Sequence, residues 1–327
     1  MSQDKTIQKI LIIKPGYSET LDPDISGFVS LGDILRTTAI LHLFPKDSCH
    51  VTWLVDERGW PILRGNPMID RILKINPFTP FHLMQEYFDT VINLEKDPGI
   101  CAMADSIPAW RRFGFRFDRV EGQVAAYDHS FEALTIAANP RHKKSLGRSW
   151  LDVLFEMVGH HYSGEPLVLG HVPTVQPIHD IGFNYRVGNK FPLKAWPDAY
   201  WKRLSDVISP RYSVSWQPPQ DNVEEIEKYI DWISSCRLLV TNDSLGMHFA
   251  LALGRPVIAL FGPTSADDFN NAAHLIKIKS AHSADCNNCS AQTCHKAMPC
   301  MEDIHPEQVI QAIDQIFASH YQRIPAT

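Results

Sequence analysis

Several absences narrow the field first. No run of about 18 consecutive apolar residues occurs, so the sequence offers no candidate transmembrane helix. Lysine and arginine never gather into a long basic run, and the net charge is 31 − 37 = −6. That balance argues against nucleic acid as a partner. Neither a GxxxxGK[ST] loop nor a GxGxxG fingerprint is present, which argues against a standard NTPase or dinucleotide oxidoreductase. Internal repeats and low-complexity tracts are missing as well. The opening MSQDKTIQKILIIK is polar and passes straight into a strand pattern, without the apolar core of a secretory leader. The expectation is a cytoplasmic protein. Peripheral contact with the inner face of a membrane stays open, because a few exposed side chains would suffice for it.

What is there is enough chain for two domains. The 327 residues are 44% hydrophobic, so each domain can have its own core. Lys9 to Lys14 (KILIIK) reads as a parallel strand, apolar on both faces. A loop with Pro15, Gly16, Pro23 and Gly27 follows, then a helix from Ser30 to about Phe44. Val51 to Val55, Ile72 to Ile75 and Thr90 to Leu94 read as further strands. Trp110 to Phe117 is aromatic and basic, with no clear assignment. Ser149 to Val158 reads as a helix stopped by Gly159. A second strand–helix series covers Ile181 to Tyr185, Pro197 to Val207, Tyr212 to Ser215 and Val223 to Ser235. Pro306 to Phe317 closes the chain as an amphipathic helix. The alternation implies α/β domains with parallel sheets. The expected boundary lies in Pro166 to Gln176, giving domains 1–172 and 173–327. Twin Rossmann-like halves facing across a cleft are the expected architecture, with ligands at the carboxyl ends of the strands.

Leu239 to Thr264 (LVTNDSLGMHFALALGRPVIALFGPT) is the most informative segment. It reads as strand, acidic turn, helix, Gly254 stop, second strand and a small-residue loop. Asn242, Asp243 and Ser244 suit a helix N-cap. Free N–H groups at such a helix start, with Ser and Thr hydroxyls nearby, suit an anionic ligand. An ordinary βαβ unit is the bland alternative.

Single residues elsewhere carry candidate chemistry. Asp33 follows a glycine at a helix start, where a carboxylate can take a proton from an attacking hydroxyl. Its plainer role is to favour the helix dipole. Arg36 and Thr37 follow on the same helix and face either a substrate or solvent. Lys194, before Ala195-Trp196-Pro197, can neutralise a phosphate or simply be solvated. His248 lies about one turn into the helix after Ser244, able to bond a phosphate or a neighbouring loop. Asp22-Pro23-Asp24 is a DxD triplet, but its Pro-containing loop makes it a chance occurrence rather than a metal site.

Of seven cysteines, Cys49, Cys101 and Cys236 stand alone and suit buried core thiols. The others form Cys286-x2-Cys289-x4-Cys294-x5-Cys300. Four thiols this close suit one tetrahedral metal, zinc or iron, in a closed structural site. Reduced free thiols are the alternative, and His295 is a spare ligand.

Taken together, KILIIK, SLGDILRTT, VTWLVDERGWPILRGNPMIDRIL, LKAWP, VTNDSLGMHFALALGRPVIALFGPT and CMEDIHPEQVIQAI resemble glycosyltransferase family 9, the ADP-heptose heptosyltransferases. The resemblance implies a GT-B fold and an inverting transfer that needs no catalytic metal. The donor would be a nucleotide-diphosphate sugar, ADP-heptose, and the acceptor a glycan or glycolipid of lipopolysaccharide biosynthesis. It implies Asp33 as general base; Arg36 and Thr37, next on that helix, are the acceptor-side candidates. Lys194, Asp243, Ser244, Gly246, His248, Gly262 and Thr264 would serve the donor. The sequence departs from the family in two places. Leu245 stands where the donor motif D[ST]GxxH has glycine, with Gly246 one position later. Fifteen residues separate Lys14 from Ser30, where the family has a few. Two other readings share these residues: a GT-B nucleotide-sugar epimerase, and a non-catalytic sugar-nucleotide-binding protein.

Overall fold

The computed structural model describes residues 7–17, 21, 29–139, 147–188, 191–219, 225–269, 274–281, 289 and 293–321. The chain divides into two compact units, Met1–Val172 and Pro173–Thr327.

Unit 1 is built on a six-stranded sheet. Its strands are β1 (Gln8–Ile13), β2 (Cys49–Val55), β3 (Arg71–Lys74), β4 (Phe88–Asn93), β5 (Ala109–Asp118) and β6 (Gln123–Ala126), in the order β3-β2-β1-β4-β5-β6. All pairs are parallel except β5 with β6. β1 is the central parallel strand, and its last four residues are fully buried, as a strand apolar on both faces requires. Its end is pinned on both sides, since Lys14 N–H donates to Leu54 O (3.0 Å) and Leu94 N–H to Ile13 O (3.0 Å). The residues that follow β1 and β4 therefore emerge side by side.

Two elements of unit 1 differ from the sequence reading. The helix expected from Ser30 to Phe44 is an α-helix only over Leu31–Thr37, and Thr38–Leu43 tightens to 3-10. At the join, the Thr37 hydroxyl donates to Asp33 O (2.8 Å) and the Thr38 hydroxyl to Leu35 O (2.6 Å). Such back-bonding competes with regular helix turns. The aromatic and basic stretch around Trp110 is strand β5. It runs parallel to β4 as far as Gly114 and then pairs antiparallel with β6. A strand that changes partner along its length shows no single periodicity. The helix Trp150–Met157 starts with a capping box between Ser149 and Asp152, and Gly159 follows with φ +77°.

Unit 2 carries a five-stranded, all-parallel sheet: β7 (His179–Asn184), β8 (Val214–Trp216), β9 (Cys236–Asn242), β10 (Val257–Phe261) and β11 (Leu275–Lys279), in the order β11-β10-β9-β7-β8. β11 (LIKIK) is interrupted by lysine and shows no continuous apolar run in the sequence. One face of the sheet holds a core of Phe183, Trp196, Trp201, Leu238, Leu260, Met301, Ile304 and Ile313, closed by the helices Asp198–Ile208 and Pro306–Tyr321. The segment expected to be strand–helix–strand is β9, the helix Leu245–Ala252 and β10, with Gly254 at φ +64° after the helix. Among the described residues no helix is long and apolar enough to cross a membrane.

Candidate functional site

In each unit a buried acidic residue sits at the carboxyl ends of the strands, paired with a lysine from another segment. The two clusters are described separately.

In unit 1, Asp33 lies in the first turn of Leu31–Thr37 and is 4% exposed. Its Oδ2 is 2.6 Å from Lys14 Nζ, and its Oδ1 accepts from Arg36 Nη2 at 3.2 Å. Burial works against the carboxylate. Lys14 first, then Arg36 and Lys96, outweigh that and hold Asp33 well below the usual carboxylate range. Thr37 is buried, its hydroxyl turned back to Asp33 O. Arg36 and Thr37, expected on the acceptor side, thus both contact Asp33 itself.

The end of β4 supplies the neighbouring wall. Glu95 is fully buried and accepts from Gly16 N–H (3.0 Å), Tyr17 N–H (2.9 Å) and Lys96 N–H (3.0 Å). It fixes the start of the loop that leaves β1. Lys96 is buried, its ammonium 5.2 Å from the Phe115 ring centre and 5.7 Å from that of Trp150. Lys14, Glu95 and Lys96 were not among the expected site residues. The signal was available, since KILIIK and VINLEK both end apolar strands in charge, and a charge at that place is costly to bury unless it is paired.

In unit 2, Lys194 Nζ is 2.9 Å from Asp243 Oδ2, and the Thr264 hydroxyl donates to the same oxygen at 2.7 Å. Three expected residues from three loops therefore meet on one carboxylate. Burial disfavours the ionised Asp243, but Lys194, then His248 and the Thr264 hydrogen bond, bring its pKa down to about 2. His248 is 7% exposed, with its ring centre 5.5 Å from that of Phe269.

The backbone around Asp243 is held from below. Asn242 Oδ1 accepts from Trp196 N–H (3.1 Å), and Asn242 Nδ2 donates to Tyr185 O (2.8 Å). Asn242 is thus a strand residue, not a helix cap. Ser244 is the N-cap of Leu245–Ala252, yet it makes no side-chain capping bond. Its hydroxyl accepts from Asn184 Nδ2 at 2.7 Å.

The two expected glycines have internal duties. A Cβ on Gly246 would overlap Tyr229 Oη and the Asn184 side-chain amide. A Cβ on Gly262 would lie 2.7 Å from Cys300 Sγ and 2.5 Å from Met301 Sδ. Both are needed for close packing. Leu245, in the place of the family glycine, is the half-buried first residue of its helix.

Of the four-cysteine run, Cys286 lies outside the described residues. Cys289 and Cys294 are exposed and Cys300 is partly buried. Among the described residues no three His, Cys, Asp or Glu side chains are grouped to hold a metal. Asp22, Pro23 and Asp24 also lie outside the described residues.

Comparison with known proteins covers the same ground. Residues 181–298 match the family described as Glycosyltransferase family 9 (heptosyltransferase). Lipopolysaccharide heptosyltransferase 2 of Salmonella typhimurium is 31% identical over 97 residues, which are 29% of this chain and 27% of that protein. The matches span 25% to 44% of the length of the curated relatives. The crystal structure of the glycosyl transferase family 9 from Veillonella parvula DSM 2008 superposes with a TM-score of 0.64 at 20% identity, covering 97% of this chain and 99% of that one. The E. coli ADP-heptose lps heptosyltransferase II gives 0.59 at 17% identity, covering 96% and 99%. These structural likenesses establish the GT-B fold, two Rossmann-like domains with parallel sheets.

Proposed function

From a chain that is glycosyltransferase family 9-like, we propose an enzyme that moves a sugar from a nucleotide-diphosphate donor to a hydroxyl of a glycan or glycolipid. The donor in this reading is ADP-heptose. The anomeric centre inverts, and no catalytic metal takes part. The observation that carries the proposal is the convergence of Lys194, Asp243 and Thr264 inside residues 181–298, the span that matches the family.

Unit 2 supplies the leaving-group site. A departing nucleoside diphosphate gains negative charge as the glycosidic bond breaks. Fixed cations and N–H dipoles aimed at that charge stabilise the transition state. Lys194 brings the cation, already held in place by Asp243. The start of Leu245–Ala252, whose N-cap serine makes no capping bond, adds backbone donors. Ser244, Thr264 and His248 supply further polar contacts.

Unit 1 supplies the base. Asp33 takes the proton of the acceptor hydroxyl as that oxygen attacks the anomeric carbon. Its carboxylate is ionised throughout the physiological range because Lys14 and Arg36 hold it so. A carboxylate stabilised this strongly is a weak base. Loosening of the Arg36 contact by an arriving acceptor would raise its basicity at the moment of need. No step passes through a metal at Cys286, Cys289, Cys294 and Cys300. A structural zinc or iron there rests on their spacing alone, and elemental analysis of the purified protein tests it.

The experiment for the donor assignment is a calorimetric screen of nucleotide-diphosphate sugars against the full chain. ADP-heptose is expected to bind, and Lys194→Ala to weaken it by about 10-fold or more. Tighter binding of another nucleotide sugar would replace the donor. Equal affinity of the Lys194→Ala variant would remove the diphosphate site from this cluster.

A further inference from the structure

Three loops meet on Asp243: one brings Lys194, one Asp243 itself and one Thr264. The first and third also touch the same short strap, Cys300–Ile304, at the end of the four-cysteine run, and the second is tied to it through Trp196. Trp196, two residues after Lys194, is 1% exposed and donates from Nε1 to Ile304 O at 2.7 Å. The same residue's backbone N–H donates to Asn242 Oδ1, next to Asp243. Gly262, two residues before Thr264, lies so close to Cys300 Sγ and Met301 Sδ that a methyl group would not fit. Met301 and Ile304 are buried in the core that holds Trp196. The far end of the strap is tied down as well, with Asp303 Oδ2 accepting from the Ser280 hydroxyl (2.8 Å) and from Ala281 N–H (2.6 Å).

We infer that the strap Cys300–Ile304 is a positioning element of the donor cluster, acting on Lys194 and Asp243 through Trp196 and on Thr264 through Gly262. This rests on the donor reading above. The argument is one of connectivity. Lys194 stands in a 3-10 turn, Pro192–Lys194, followed after Ala195 by Trp196. The Trp196 side chain fixes where that turn ends relative to the strap, and its backbone fixes the turn relative to Asn242. A shift of the strap moves both anchors together. The end of the cysteine run therefore bears on diphosphate affinity, and any ligand or covalent change at Cys300 would reach Thr264 across Gly262. Trp196 is a positioning residue, since it acts on a ligand through Lys194.

The neighbouring Trp201 provides a control. Its ring centre is 4.9 Å from that of Trp196, it is equally buried, and its Nε1 has no hydrogen-bond partner among the described residues. Trp196→Phe removes the bond to Ile304 and keeps an aromatic ring. Trp201→Phe removes comparable volume from the same core but breaks no hydrogen bond to the strap. ADP binding to the full-length protein is measured by calorimetry for wild type, Trp196→Phe, Trp201→Phe and Lys194→Ala, with a melting temperature for each. Trp196→Phe is expected to weaken ADP about 5- to 10-fold, the size of one lost hydrogen bond. Trp201→Phe is expected to stay within about two-fold of wild type even where it melts earlier. If both tryptophan variants weaken ADP alike, or neither does, the strap has no positioning role, while a weakened Lys194→Ala keeps the donor reading. If Lys194→Ala binds ADP like wild type, or wild type does not bind ADP, the donor reading falls and the inference with it.

Discussion

Among single side chains, Asp33 and Asp243 are each set against a lysine brought from another loop. Their chemistry divides by neighbours. Asp33 has two cations in contact and is proposed to accept a proton. Asp243 has one cation and a hydroxyl, and is proposed to hold Lys194 for a phosphate. Removing one partner from such a pair leaves a buried charge uncompensated. Lys14→Met is therefore expected to cost about 3–5 kcal/mol of stability in urea unfolding. It should also move the acid limb of the kcat/KM profile to higher pH, because the group depressing Asp33 has gone. An unmoved limb would separate Asp33 from the rate. Asp33→Asn is expected to lower turnover by about 10²–10⁴-fold with ADP affinity little changed. Full turnover in that variant would sink the base assignment.

The Asp243 pair also has a pH signature. Its folded pKa of about 2 lies below the ordinary value of 3.8. The stabilisation is thus complete above about pH 4 and drains away as pH falls toward 2, amounting to about 2 kcal/mol when present. Comparing wild type with Asp243→Asn at pH 5 and pH 2.5 measures it. The gap between the two should shrink at the lower pH, and a constant gap would show that Asp243 gains nothing from Lys194.

At the scale of elements, the strand ends and the helix start after β9 do most to place the sites. Gly246 belongs to this scale, because it lets Leu245–Ala252 approach Asn184 and Tyr229. Gly246→Ala is expected to cost about 1–3 kcal/mol by overpacking. Removing the hydroxyl with Tyr229→Phe in the same chain should return part of that loss in thermal melts. No recovery would mean that the clash lies with Asn184 alone. The buried strands β1, β2, β4, β9 and β10 were legible because continuous apolar runs bounded by turn residues admit little else. β5 and β11 were not, since arginine or lysine interrupts both, and β5 changes partner midway. The single helix read from Ser30 to Phe44 failed at Thr37 and Thr38, where hydroxyls bond backward to the chain. Propensity alone does not reveal such bonds. For the sites, Lys194, Asp243 and Thr264 were legible as separate motifs, but their meeting on one oxygen is a tertiary fact. Lys14, Glu95 and Lys96 each read locally as the polar end of a strand, so their burial is not visible in the sequence.

For the whole molecule, two α/β units split the proposed work, unit 1 holding the base and unit 2 the leaving group. The fold itself is shared with solved family 9 proteins over nearly the full chain. The four-cysteine run ends in the strap that touches the loops of Lys194 and Thr264, and the link from it to the donor cluster is the proposed one. The most direct measurement is transfer itself: purified full-length protein, ADP-heptose and a lipooligosaccharide acceptor, with the product analysed by mass spectrometry and its anomeric configuration by NMR. A heptosylated acceptor of inverted configuration, lost in both Asp33→Asn and Lys194→Ala, is the expected result. Conversion of the donor without any acceptor, or transfer that survives both substitutions, would contradict it.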